Sequence, residues 1–134
     1  MAEVLLKAEP KAAEWQVGSA GTCAADGMCA SAGSQKAVRK LGLNLSCHRS
    51  RHFTRDCAEE SDLIIALTRD HYHQIIAQFP FAREKTLLLG SFLTPEDSDE
   101  DIDDPAGEPD DFYGQTRDTI HRAVKRLAAY LATL

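Results

Sequence analysis

Three sets of residues in this chain have the types that chemistry needs. The first is a loop, Asp101-Ile102-Asp103-Asp104-Pro105, where carboxyl groups run up to a proline that stiffens the backbone. A carboxyl held in place can give or take a proton. The second is the one basic cluster, His48-Arg49-Ser50-Arg51-His52, with the hydroxyl of Ser19 at the end of an upstream strand-like segment. Taken alone, Ser19 reads as a strand-end hydroxyl and His48 as a surface histidine beside arginines. The third is a set of four cysteines, Cys23, Cys29, Cys47 and Cys57. They contain no C-x2-C pair, so they read as free thiols and not as a disulfide framework. Cys47, His48, His52 and Cys57 hold metal-ligating atoms, but zinc sites bring ligands in close pairs that this stretch lacks, so no metal is expected. His71 and His73 sit two apart on a predicted helix and face different sides.

What must position these groups is a sheet. Ser61 to Thr68 carries the short apolar run Leu63-Ile64-Ile65-Ala66-Leu67, and Lys85 to Ser91 carries a second, Leu87-Leu88-Leu89. Neither alternates with polar residues, as expected of strands covered on both faces. A helix-length interval separates them, so strand, crossover and strand imply a parallel α/β sheet. Ligands of such sheets bind beyond the carboxyl ends of the strands, which directs attention to the loops after Thr68 and after Ser91.

The remaining segments supply the cover. Residues 2 to 8 read as an amphipathic helix stopped by Pro10, and Trp15 to Ala20 as a strand ended by Gly21-Thr22. Ser34 to Leu41 is predicted helical, with Ala37, Val38 and Leu41 on one face and Gly42 as its cap. Thr54 is placed as the N-cap of a short helix reaching Glu60, and a further helix runs from His71 to Phe79 before Pro80. An acidic loop spans Thr94 to about Asp110. The clearest helix is Phe112 to Leu134, where Thr116, Ile120, Val124, Leu127 and Leu131 form a stripe at spacings of three and four.

Composition narrows the classes. With 134 residues and 43% hydrophobic content, the chain suits a single domain over 1–134. A net charge of -6 argues against nucleic acid, whose phosphates need a basic surface. No apolar run is long enough for a membrane span, and the first residues lack the pattern of a secretory signal, so the expectation is a cytoplasmic protein with no membrane contact.

Read in order, Ser19-Ala20-Gly21-Thr22, Leu45-Ser46-Cys47-His48-Arg49-Ser50-Arg51, Asp62-Leu63-Ile64-Ile65, Leu88-Leu89-Gly90-Ser91-Phe92 and Asp101-Ile102-Asp103-Asp104-Pro105 resemble the low-molecular-weight protein tyrosine phosphatases. The resemblance covers essentially the whole chain. It implies a four-stranded parallel sheet flanked by helices in three layers. It also implies cofactor-free hydrolysis of phosphomonoesters through a cysteinyl-phosphate intermediate. By the same resemblance Asp104 is the general acid and base, Ser19 and His48 support the phosphate loop, and Arg51 is structural. Substrates would be a protein phosphorylated on tyrosine or arginine, or a small aryl phosphate. The family places an aromatic residue after its Asp-Pro pair; this chain has Ala106-Gly107.

Family members open with a strand leading into a C-x5-R-[ST] loop, commonly followed by Pro and then Met-Ala-Glu, and Met1-Ala2-Glu3 are the first residues here. The sixth residue after each cysteine is Cys29, Gln35, Phe53 or Leu63, never arginine. The expectation is therefore a phosphatase body without its first, interior strand and phosphate loop. Such a body would be inactive as it stands and prone to form homo-oligomers that cover the gap. Two other readings compete. One is a non-catalytic relative that binds a protein partner. The other, arsenate reductase, needs relay cysteines after Thr68, and Arg69 to Phe79 contains none.

Overall fold

The computed structural model describes residues 1–94 and 101–134. The acidic loop expected from Thr94 to Asp110 is thus described from Asp101 onward, and its residues 95–100 lie outside the described residues.

Among the described residues two parallel strands form the sheet: β1 (Ile64–Ala66) and β2 (Thr86–Leu88), paired Ile64 to Thr86, Ile65 to Leu87 and Ala66 to Leu88. Side chains alternate across β1, and both sides are occupied. Ile64 and Ala66 belong to a buried cluster with Ala58, Ile75, Phe79 and Ala82, whereas Ile65 and Leu67 pack against a second cluster built on Leu5, Leu89, Ile102, Ile120, Val124 and Leu127. This two-sided burial explains the unbroken apolar run, and it makes a three-layer α/β arrangement.

Among the described residues, five α-helices supply the layers: α1 (Ala2–Lys7), α2 (Ala32–Arg39), α3 (Arg55–Glu60), α4 (Arg69–Gln78) and α5 (Asp110–Leu131). Leu5 of α1 and Ile120, Val124 and Leu127 of α5 cover one face of the sheet. Ala58 of α3 and Ile75 of α4 cover the other. Side-chain caps fix where three helices begin. Ser31 accepts from Ser34 N, Thr54 from Cys57 N and Thr68 from His71 N, so α2 and α4 start two residues earlier than their apolar patterns suggest. Gly42, at φ +77°, closes the turn after α2. Leu41 lies in that turn and is exposed, whereas Ala37 and Val38 are buried. Gly33 lets the ring of Tyr113 lie directly against α2, since a β-carbon there would sit about 2.5 Å from the ring.

Two expectations are corrected. Trp15 to Ala20 is not a regular strand; Trp15 has extended dihedrals, but the segment gains only an isolated parallel bridge between Gly21 and His52. Extended backbone becomes a strand only beside a neighbour that shares a ladder, and none lies along this segment among the described residues. The four strands that the resemblance implies for the family are represented, among the described residues, by two laddered strands. The second of these stops at Leu88, because the chain turns into a 3-10 turn over Leu89–Phe92.

Candidate active site

The beginning of α1 is the meeting point of residues that are far apart in sequence. Glu3, in its first turn, is half-buried and has partners on three sides. Oε1 accepts from Ser19 Oγ at 3.0 Å, and Oε2 lies 3.4 Å from both Lys7 Nζ and His48 Nδ1. Burial would raise the Glu3 carboxyl, but the Ser19 hydrogen bond and the charges of Lys7 and His48 outweigh it and hold it below the usual glutamate range. Ser19 and His48 therefore do come together, through a residue the sequence reading gave no role. The signal for Glu3 was its place one turn into a helix, where an acidic side chain suits the dipole.

Two crossing loops hold Ser19 and His48 in place. Arg51 Nε donates to Ser19 O at 2.9 Å, and Gly21 N donates to Arg51 O at 2.9 Å, so Arg51 has the structural part expected of it. Loop 21–31 is tied to loop 46–53 by Ser50 N to Met28 O, Gly27 N to Ser50 O, and His52 N to Asp26 Oδ1. Little regular secondary structure is involved, yet each of those main-chain groups is partnered.

The acidic loop approaches the same helix start. Ile102 is buried and donates to Leu67 O at 2.9 Å, beyond the end of β1, and Pro105 is buried too. Between these anchors Asp103 and Asp104 are exposed. Asp104 Oδ1 accepts from Ala106 N at 3.0 Å, which fixes its side chain over the turn. Desolvation lowers the main-chain amine of Met1, and the carboxylates of Glu3 and Asp104 offset part of that shift. Asp104 thus shares the electrostatic surroundings of the first residue before α1.

Among the described residues no hydrogen bond joins a cysteine side chain to Glu3, Ser19 or Asp104, although Cys47 precedes His48 in the chain. All four are free, and Cys23, Cys29 and Cys47 are exposed. Cys57 receives a hydrogen bond from Thr54 Oγ1 at 3.4 Å, and Thr54 lowers its thiol. That contact belongs to the start of α3. Among the described residues no group of three or more Cys, His, Asp or Glu side chains is arranged to hold a metal ion.

Residues 1–133 match the family described as low molecular weight phosphotyrosine protein phosphatase. The chain belongs to that family. It is 34% identical over 133 residues to a protein-arginine-phosphatase of Bacillus subtilis, a match spanning 98% of this chain and 87% of that one. Among solved structures it resembles the YwlE arginine phosphatase from Geobacillus stearothermophilus. There the TM-score is 0.86 at 33% identity, covering 98% of this chain and 83% of that one. It also resembles the tyrosine phosphatase Wzb from Escherichia coli in complex with sulphate, with a TM-score of 0.88 at 32% identity over 97% of this chain and 87% of that one. The low molecular weight phosphatase fold is thus shared, with helices on both sides of a parallel sheet. Among the described residues no helix is long and apolar enough to cross a membrane.

Proposed function

We propose that this chain is the body of a phosphomonoester hydrolase that works through a cysteinyl-phosphate intermediate on a phosphorylated protein side chain, arginine or tyrosine. In that reaction a thiolate attacks phosphorus while Asp104 protonates the leaving group. Asp104 then takes a proton from the water that cleaves the phosphoenzyme, releasing phosphate and restoring the thiolate. An arginine leaving group is strongly basic, so breaking the P–N bond leans on that proton as much as breaking the aryl ester does. Ser19 and His48 act on the phosphate loop from behind, through the α1 start. The observation that carries this reading is the convergence of Ser19 and His48 on Glu3 in the first turn of α1.

The nucleophile and the phosphate-binding arginine are not among these 134 residues, since no cysteine is followed by arginine at the family spacing. In this reading the family's C-x5-R-[ST] loop and its interior strand supply both to this body. The edge of β1 away from β2, unladdered among the described residues, is where that strand would pair. Without it the 134 residues are expected to be catalytically silent and to self-associate.

The test is to compare the 134-residue chain with one extended in frame by a strand and a C-x5-R-[ST] loop, using 4-nitrophenyl phosphate, phosphoarginine and phosphotyrosine peptides. Turnover that needs the extension and its cysteine is expected. Thiol-dependent turnover by the 134 residues alone, or an extended chain that folds and stays inert, would overturn the reading. Size-exclusion chromatography of the unextended chain is expected to show oligomers; a monomer with a sharp cooperative melt would contradict the open-edge proposal.

A further inference from the structure

Asp101 and Arg69 form a clamp between the acidic loop and the start of α4. Asp101 Oδ1 accepts from Arg69 N at 2.9 Å and from Arg69 Nε at 3.2 Å, and Oδ2 lies 3.5 Å from Arg69 Nη2. The main-chain bond uses a helix-start N–H that has no partner within the helix, and the guanidinium adds a charged contact to the same carboxylate. These contacts hold the carboxyl below the usual aspartate range, with the Arg69 main chain as the largest cause. The next residue, Ile102, is fixed separately by its main-chain bond to Leu67 O and by burial.

Asp104 lies only three residues beyond Asp101, with Pro105 buried after it. From the Asp101–Arg69 bonds beside the Ile102 anchor, we infer that Asp101 is a positioning residue for Asp104. It fixes the upstream end of the loop to α4 and so sets where the Asp104 carboxyl is held. This rests on the functional reading above. Asp101 touches no substrate, and its effect comes through the loop. The geometry also separates the acids that a charge run makes look alike: Asp101 is tied to Arg69, Asp104 accepts from Ala106 N, and Asp103 is exposed between them.

Two experiments test it. In the 134-residue chain, Asp101→Ala should speed amide hydrogen exchange at Ile102 and Ala106 by about tenfold while the amides of Ile120 and Val124 in α5 stay protected. Unchanged exchange at both loop amides would overturn the clamp. In the chain extended by the C-x5-R-[ST] segment, general-acid catalysis matters most for poor leaving groups. Asp101→Ala should therefore cost about tenfold in kcat/KM, which reports the leaving-group step alone, with phenyl phosphate and about twofold with 4-nitrophenyl phosphate. Equal losses on the two substrates, or none, would overturn the inference. Asp104→Asn is the reference, and if it shows no leaving-group dependence the functional reading fails, whatever Asp101→Ala does. Arg69→Ala provides an independent break of the same clamp. The same split between substrates is expected from it, and its absence would count against the proposal even if Asp101→Ala did not fold.

Discussion

Two helix starts in this molecule treat their polar neighbours in opposite ways. At α4 the side chains serve the backbone: Thr68 Oγ1 takes His71 N at 3.1 Å, and Asp101 takes Arg69 N. At α1 no side chain caps the backbone. Its polar residues bind each other instead, with Glu3 joined to Ser19, Lys7 and His48 and with Asp104 nearby. The α4 bonds close a structural joint, whereas the side chains around α1 organise one another.

If that contrast is right, substitutions at the two ends should separate activity from stability. The largest effect is expected at Asp104. In the extended chain Asp104→Asn should lower kcat on phenyl phosphate by about a hundredfold or more, with the melting temperature nearly unchanged. Steady-state kinetics beside calorimetry would show it, and a matching drop in stability would erase the contrast.

Glu3→Ala should come next, because it leaves Ser19 and His48 without their shared partner and costs about 1–2 kcal/mol in denaturant unfolding. The pH dependence sharpens this. The Glu3 carboxyl is depressed in the folded chain, so its stabilisation is fully present above the ordinary glutamate range and disappears as pH falls through the depressed value. Wild-type and Glu3→Gln melting curves should therefore differ at neutral pH and converge in acid; a gap that widens in acid would mean the carboxylate is not the group that matters.

Thr68→Ala removes the α4 cap and should cost about 1 kcal/mol, a shift of a few degrees in melting temperature, with kcat of the extended chain unaffected. A loss of activity there would show that the Asp101–Arg69 clamp depends on the Thr68 cap. The smallest effect is expected for the exposed Lys36–Asp110 pair at 3.4 Å, where Lys36→Ala should change stability by under about 0.5 kcal/mol. A double-mutant cycle with Asp110→Ala measures it.

Much of this was legible in the sequence. The apolar run around Ile64 and Ile65 declared a strand covered twice, because side-chain alternation leaves no polar face when both sides are buried. The stripe of Ile120, Val124 and Leu127 declared α5, and Thr54 its helix cap, since both depend on neighbours three or four residues away. Trp15 to Ala20 read as a strand from its own composition, yet its backbone finds only the bridge at Gly21. Laddering depends on what lies alongside, and no residue in the segment encodes that.

The site divides the same way. Sequence order alone singled out Asp104, Ser19 and His48, because an ordered set of short motifs survives without knowledge of the fold. The sequence did not show that Ser19 and His48 reach α1 through Glu3, or that Asp101 is spent on Arg69. Those are contacts between residues 16, 45 and 32 positions apart. Local chemistry sets which groups can bond, but only the packing of α1 against α5 and of the acidic loop against β1 brings these pairs within reach.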